Sequence, residues 1–533
     1  MERFETDDLA LSSMGFDVAP ISALATSPAS VPDDMPRSIG LIIPPSAFLL
    51  DERVFVSLGI LRIASILETS GHTVNLLDLS GIKNYLDALT HFLTHTPVDA
   101  IGITATTPQL PAVFAIARAI RAVKPGIRLI LGGPHVTLTY AAVKLERKLG
   151  QSEHGRANAA AAQLEDMFDV ICAGDGELAV LEAIRPDAPR LIDGDDMTGP
   201  YFMSDEAYEA TPQPARHLVD LGTYRYAIEG FKATSLIGQL GCPFSCGFCG
   251  GRNSKSLRVI RTRSVDSIIA EMTFLHETYG YTGFMFYDDE LNVSKSMVAL
   301  MNAICDLQDR LGVEFRLRGF VKSELLTEEQ AAAMYRAGFR WLLCGFEAAN
   351  PRILTNIKKR ATLDDNNRAV EYAKKHNLKI KALMSAGHPG ETERSVLDIH
   401  DWLISAEVDD FDCTLITTYP GTPYYDYAVP HDSLKGVWTY TQPETGDRLH
   451  AYDIDFTDTP NYYKGDPDGG YQAFVFTDHL SPERLVALRD HVERETRAKL
   501  GLGFNPSRAA MLYEHSMGQS LPAHILRTTQ SAD

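Results

Sequence analysis

Two stretches of the chain alternate short apolar runs with amphipathic segments, which predicts strand followed by helix repeated along each stretch. In the first, apolar runs occupy residues 39–43, 74–77, 100–104, 128–131 and 169–173. Each ends in small, turn-forming or polar residues, among them Thr106-Thr107-Pro108, Gly132-Gly133-Pro134-His135 and Gly174-Asp175-Gly176-Glu177. Such alternation builds a doubly wound parallel sheet and predicts a Rossmann-like domain over residues 38–195. Ligands bind outside the C-terminal ends of the strands in these sheets, and glycines there let a bulky ligand approach the backbone. No G-x-G-x-x-G follows the first strand, so the expected ligand is large but is not a dinucleotide.

The second stretch has strand-like runs at 234–240, 283–287, 314–320, 341–346, 380–385 and 411–417. The segment 265–279 between two of them places Ile268, Ile269, Met272 and Leu275 on one helical face. Six such units predict a partial (β/α)6 barrel over residues 231–428, and the fold class is α/β throughout. Residues 196–230, with Gly199-Pro200, Pro212 and Pro214, read as a connector. Residues 1–37, rich in Ala, Ser, Pro and Asp, read as a flexible arm. Residues 429–533 form a smaller mixed cap, where Tyr440, Tyr452, Tyr462, Tyr463 and Tyr471 are interleaved with Asp, Gly and Pro. A helix is predicted at 481–500, opened by Ser481-Pro482-Glu483.

Charge narrows the partners. A formal net charge of −20 over 533 residues opposes binding to nucleic acid or to an anionic membrane surface. No apolar run reaches transmembrane length. The acidic start, Met1 to Asp8, lacks the apolar segment of a signal peptide, so a cytoplasmic location is expected. Seven cysteines, few and odd in number, predict no disulfide framework and a reducing compartment.

Three of those cysteines carry the chemistry. Cys242, Cys246 and Cys249 form a C-x3-C-x2-C triplet on a Gly/Pro-rich loop directly after the first barrel strand. A [4Fe–4S] cluster normally takes four cysteines. Three without a nearby fourth leave one iron open for a small chelating ligand, as an incompletely ligated metal keeps a free position. A zinc ribbon would need a second C-x2-C or a His pair at short spacing, and none lies near the triplet. Cys172, Cys305, Cys344 and Cys413 stand alone in apolar surroundings and read as ordinary buried thiols. Arg316 and Arg318 alternate along a strand and share one face, which makes them a candidate anion site for the substrate if that face is the barrel interior. A lone His388 reads first as a packed, hydrogen-bonded residue.

The triplet, with Phe248 before its last cysteine and a partial barrel around it, resembles the radical S-adenosylmethionine (SAM) superfamily. The preceding domain, with Gly132-Gly133-Pro134-His135 and Gly174-Asp175-Gly176-Glu177, is similar to the cobalamin-binding domain fused to one branch of that superfamily. Arg261-Thr262-Arg263-Ser264, Phe286-Tyr287-Asp288-Asp289-Glu290, Gly345-Phe346-Glu347 and Gly387-His388-Pro389-Gly390-Glu391-Thr392 match the same branch. Two departures stand out. The loop from Pro44 to Val54 has no histidine where D-x-H-x-x-G proteins supply one, so the cobalt's lower face is expected to lack a His ligand. Ala348-Ala349 follows Gly-Phe-Glu where Ser-Gly is common.

This resemblance implies three cofactors: a [4Fe–4S] cluster on the cysteines, SAM, and cobalamin in its methylcobalamin form. By it, Asp289 or Glu290 would meet the SAM ammonium, Glu347 the ribose, and Phe248 with Ser385 to Gly387 the adenine. Gly132, Gly133, His135, Gly174, Gly176 and Glu177 would line the cobalamin site. The implied activity is that of a cobalamin-dependent radical SAM methyltransferase, in which one SAM recharges cobalamin and a second gives a 5′-deoxyadenosyl radical. The wording from Cys246 to Arg252 and from Phe315 to Lys322 is similar to P-methyltransferases of phosphinothricin (bialaphos) antibiotic biosynthesis, which implies a phosphinate acceptor. C-methylation of an unactivated carbon, and a cobalamin-assisted cyclase or rearrangement enzyme, are the enzymatic alternatives. A cobalamin sensor with a structural cluster is the non-enzymatic one. Expected partners are a small-molecule substrate and an external one-electron donor such as flavodoxin or ferredoxin.

Overall fold

The structure, a computed structural model, describes residues 35–46, 52–151, 155–459 and 472–502, with the backbone of 513–514 and 519–520. Most of the arm expected over residues 1–37 lies outside the described residues, as do Tyr462, Tyr463 and Tyr471.

The first domain is one parallel sheet of β1 (Ser38–Ile43), β2 (Thr73–Asp78), β3 (Ala100–Thr104), β4 (Arg128–Gly132), β5 (Val170–Gly174) and β6 (Leu191–Gly194), in the order β2-β1-β3-β4-β5-β6. Alternate residues of each strand serve opposite layers. Ile39, Leu41 and Ile43 pack with the helix Leu58–Thr69, while Ile42, Ile101 and Ile103 pack against the helices of the other face. Strand order reverses between β1 and β3, which makes this the switch point where doubly wound sheets open a crevice. The strand β6 was not expected from the sequence, because four residues with an exposed Leu191 make no apolar run.

The second domain is a curled sheet of β7 (Ala227–Ile228), β8 (Phe231–Leu236), β11 (Gly283–Phe286), β12 (Arg316–Val321), β13 (Phe339–Glu347), β14 (Lys379–Ala386) and β15 (Asp410–Leu415). Between β8 and β11, β9 (Gln239–Leu240) and β10 (Arg261–Thr262) pair antiparallel and pin the two ends of the cysteine loop together. Phe284, Phe286, Leu317, Leu342, Cys344 and Ala382 face the helices and form the main core. Met285 and Leu343 face inward, where Val54 and Phe55 from the loop after β1 meet them.

A half-barrel leaves β15 with an unpaired edge. The helix Pro482–Leu500 covers it with side chains in place of a strand. Arg489 Nε donates to the Cys413 carbonyl at 2.6 Å, Arg497 Nη2 to the Phe411 carbonyl at 2.7 Å, and Cys413 N–H to Glu493 Oε1 at 2.8 Å. Edge groups that would otherwise seek another chain are thereby satisfied.

The connector is folded onto both domains. Buried Arg216 donates to Glu271 Oε1 at 2.7 Å and to the Ser235 carbonyl at 2.9 Å. After the barrel, β16 (Val429–Pro430), β17 (Val437–Thr441), β18 (Arg448–Tyr452) and β19 (Val475–Thr477) form a small antiparallel sheet. No described helix is long and apolar enough to cross a membrane.

Candidate active site

The cysteine loop leaves the C-terminal side of β8, the end of a parallel barrel where catalytic groups gather. Its shape is held from inside by Arg252, whose Nη1 donates to the carbonyls of Cys242 (2.9 Å) and Phe244 (2.8 Å) and whose Nε donates to that of Gly250 (3.1 Å). It is held from outside by Gly247 N–H to the Ile357 carbonyl at 2.7 Å and Gly251 N–H to the Gly421 carbonyl at 2.9 Å.

The three thiols form one electrostatic neighbourhood. Burial pushes the Cys249 thiol up to about 12 and raises that of Cys246, with Arg252 pulling the first down and Lys359 and Lys322 the second. Thiols so placed become ligands only when a positive centre replaces their protons, as a coordinating metal does. Among the described residues, no three His, Cys, Asp or Glu side chains converge on a single-ion site. Sulfurs at separate corners of a cubane do not converge on one ion, so three thiols on one loop, one buried and two partly buried, fit a cluster better than zinc.

Around the cysteines lies a recess of carboxylates and lysines. Asp288, first of the Asp-Asp-Glu run, is buried and accepts the N–H groups of Gly238 (2.7 Å) and Gln239 (3.0 Å), bracing the turn that precedes the cysteines. Asp289 and Glu290 keep accessible surface although protein surrounds them, as side chains facing a cleft do. Burial lifts Glu290 to about 7 against the pull of Lys359 and Lys322, and lifts Asp289 against Arg252.

Glu347 closes β13 at φ 66°, a left-handed backbone unusual for a non-glycine residue and characteristic of strained sites. Its carboxylate meets Lys359 Nζ at 3.2 Å and accepts from Ser385 Oγ at 2.7 Å. Gly345 allows this fold-back, since a Cβ there would stand 2.6 Å from Glu347 Oε1. Because Ser385 gives its only proton to Glu347, its oxygen must accept from His388 Nε2 at 2.9 Å, which leaves His388 Nδ1 as an acceptor. Burial holds His388 neutral, with a pKa near about 3. Phe248 packs on its ring at 5.4 Å between centroids, and Gly387 N–H and His388 N–H both donate to Glu391 Oε2. His388 Nδ1, Glu391 Oε1 and Tyr424 Oη are buried with no hydrogen-bond partner among the described residues. Orphaned polar atoms at that density mark a place for a polar ligand.

The structure thus brings Phe248, Asp289, Glu290, Glu347, Ser385 and Gly387 to the rim of the cysteine loop. Arg316 is not brought there. It opens β12 at the opposite end of the barrel, stacked on Phe231 at 4.3 Å and paired with Glu314 at 3.1 Å. Arg318 faces the interior beside Trp341, at 5.9 Å, still below the strand ends. The pair shares a face, as alternation requires, yet it is spread along the strand axis and not gathered at the site. Sequence reasoning missed Arg252, Lys322, Lys359 and Tyr424. Lys322 and Lys359 stand among surface-like charge runs, and only burial distinguishes them.

The second feature is an open, largely apolar cleft in the first domain. Gly132, Gly133, Gly174, Gly176 and Glu177 line it with Ile39, Ile60, Ile63 and Ile130, and so does Leu257 of the cysteine loop. Gly59 also borders it, and a Cβ there would meet nothing within 4 Å. Gly174, at φ 86°, admits no side chain, since a Cβ would lie 2.2 Å from the Asp195 nitrogen. An apolar slot bordered by glycine backbone suits a large flat cofactor with a bulky tail. His135 does not line this cleft. Its ring nitrogens face Thr107 Oγ1 (2.9 Å) and Thr139 Oγ1 (3.2 Å), and it borders a different cavity.

The model of the radical SAM superfamily matches residues 236–403, and that of the B12 binding domain matches residues 52–154. This is a B12-binding radical SAM protein. A curated relative, an uncharacterized methyltransferase of Pyrococcus horikoshii, is 26% identical over 410 residues, covering 74% of this chain and 83% of that one. The radical SAM methyltransferase TsrM of Kitasatospora setae, solved with cobalamin and a [4Fe-4S] cluster, superposes with a TM-score of 0.61 over 89% of this chain and 92% of that chain, at 17% identity. The cobalamin-dependent SAM radical enzyme OxsB superposes with a TM-score of 0.52 at 16% identity, over 74% of this chain and 55% of that one. At these identities the two structures testify to a shared fold. The cofactors of the B12-binding radical SAM protein are a [4Fe–4S] cluster, SAM and cobalamin, and the thiols, the orphaned polar atoms and the glycine-bordered cleft each fit one of them.

Proposed function

We propose that this protein transfers a methyl group to a non-nucleophilic carbon or phosphinate phosphorus from which a 5′-deoxyadenosyl radical has removed hydrogen. When bound, the cluster with SAM supplies the radical and cobalamin supplies the methyl group. The observation that carries the reading is a shared wall. Leu257 lines the cleft that would hold cobalamin, and its carbonyl accepts the N–H of Cys242 at 3.1 Å. Two cofactor sites built on the same loop are placed for reaction on one substrate between them.

The chain's own groups then have separate tasks. Cys242, Cys246 and Cys249 would hold the cluster. Asp289 and Glu290 offer negative charge to an ammonium in a partly dry recess. Glu347, fixed by Lys359 and Ser385, offers its remaining lone pairs to hydroxyls. Phe248 and His388 wall the recess against water, which protects a radical from side reactions. An external one-electron donor of the flavodoxin or ferredoxin type supplies the reducing electron.

The test is anaerobic incubation of reconstituted protein with reductant, SAM, cobalamin and panels of phosphinate and carbon acceptors, read by mass spectrometry. A product heavier by one CH2, with 5′-deoxyadenosine formed, is expected. An isomerised or dehydrogenated product would replace methyl transfer with cyclisation or rearrangement. Absence of 5′-deoxyadenosine would overturn the radical reading altogether.

A further inference from the structure

Where the first domain meets the segment after the barrel, Arg156 holds its guanidinium against two rings. Its Cζ lies 3.5 Å from the centre of Tyr425 and 4.3 Å from that of Trp438. One Nη donates to the Tyr425 carbonyl. Contact with two rings and one carbonyl restricts the group, and a guanidinium carries five N–H donors, of which this bond uses one.

What is missing is a counter-charge. Among the described residues no carboxylate stands within ion-pair distance of Arg156, and Asp453, Asp426 and Glu146 act on it only through space. Glu146 is already spent on the N–H groups of Ala157 (2.9 Å) and Asn158 (3.1 Å), and Asp426 on Gly421 N–H (2.9 Å) and Asn253 (2.6 Å). Arg156 is half-buried, and a structural arginine at such a junction is ordinarily paired, because partial loss of water already costs a cation without a counter-charge. This one lines a cavity of about 220 Å³, together with His135, Gln163, Tyr425, Asp453, Asp455 and Thr457.

We propose that this cavity binds a small ligand through one singly charged oxyanion, a carboxylate or a phosphinate, gripped in two-point fashion by Arg156. The planar fork matches two oxygens of such a group. Asp453 and Asp455 in the same lining disfavour a doubly charged anion and so set the preference for one negative charge. The cavity is separate from the cysteine recess, although the two share a segment. Tyr424 turns toward His388, with centroids 6.2 Å apart, while its neighbour Tyr425 turns to Arg156. The site stands whether or not methyl transfer is the reaction.

Free small anions and the phosphodiester of cobalamin offer the same chemistry, so the test uses the full-length protein both loaded with cobalamin and free of it. Methylphosphinate, acetate and inorganic phosphate are titrated by calorimetry, with choline as a cationic control. Methylphosphinate or acetate is expected to bind both forms, more tightly than the phosphate dianion, with affinity falling about tenfold or more in Arg156→Gln. Circular dichroism, urea unfolding and cobalamin content of Arg156→Gln are expected to match the parent protein and report that the junction still folds. Unaltered binding in Arg156→Gln, or no binding of any oxyanion, would overturn the proposal. Binding confined to the cobalamin-free protein would overturn it too, and would assign Arg156 to the cofactor's phosphodiester.

Discussion

Single side chains at the site divide by how local their cause is. Cys242, Cys246, Cys249 and Phe248 were legible because spacing along one loop sets their geometry. Lys359, Glu347 and Ser385 come from three separate segments, and their contact depends on the left-handed turn at Glu347, which no glycine announces. Cys246→Ala is expected to leave the fold intact, since a buried small thiol resembles alanine in volume, but to remove cluster iron and 5′-deoxyadenosine formation together. Iron per chain and circular dichroism check it. Loss of activity with iron retained would mean that Cys246 is no ligand.

Among elements, the parallel strands were readable from apolar runs bounded by glycine and proline, because strands buried on both faces need continuous apolar sequence. The short β6 was not readable, since pairing with β5 stabilises it and its own residues do not. The edge of β15 depends on the helix Pro482–Leu500, whose start was visible as a capping pattern but whose docking was not. Glu493 accepts from Cys413 N–H at 2.8 Å and from Arg497 Nε at 2.8 Å. Glu493→Ala should cost about 1–3 kcal/mol, because it removes the buried acceptor of the Cys413 N–H and of Arg497 Nε, while Arg497 keeps Asp410 at 3.2 Å and Arg489 keeps Asp490 at 3.0 Å. Urea unfolding measures the cost, and hydrogen exchange at 410–415 should accelerate before that of β8. A surface-sized effect would show that the edge is held by packing alone.

At the scale of the molecule, the connector is tied to the second domain by buried charge. Glu271 is buried between Arg216 at 2.7 Å and Arg263. Burial pushes its pKa up, but the two guanidiniums outweigh burial and bring it to about 2. The sign follows: the unfolded chain takes up this proton at higher pH than the folded one, so stability is full above the ordinary carboxylate range and drains as pH falls toward 2. The contribution is about 3 kcal/mol. Denaturant titrations from pH 6 to 3 should show it, and Glu271→Gln should be less stable at neutral pH with a flatter acid limb. In the first domain, Gly59→Phe would fill the open cleft, so bound cobalamin should fall about tenfold while iron per chain stays constant. Parallel loss of both cofactors would contradict separate sites on a shared wall.

Local sequence was enough to establish two α/β domains, the cluster loop and the glycine-edged cleft, because each follows from residue period or from spacing within a single turn. The placement of Arg316 away from the site, the lysines within it and the uncompensated Arg156 arise from contacts between segments far apart in the chain. Such contacts are chosen by the packing of whole layers, in which burial and charge compensation act across space, and a linear pattern carries no record of that choice.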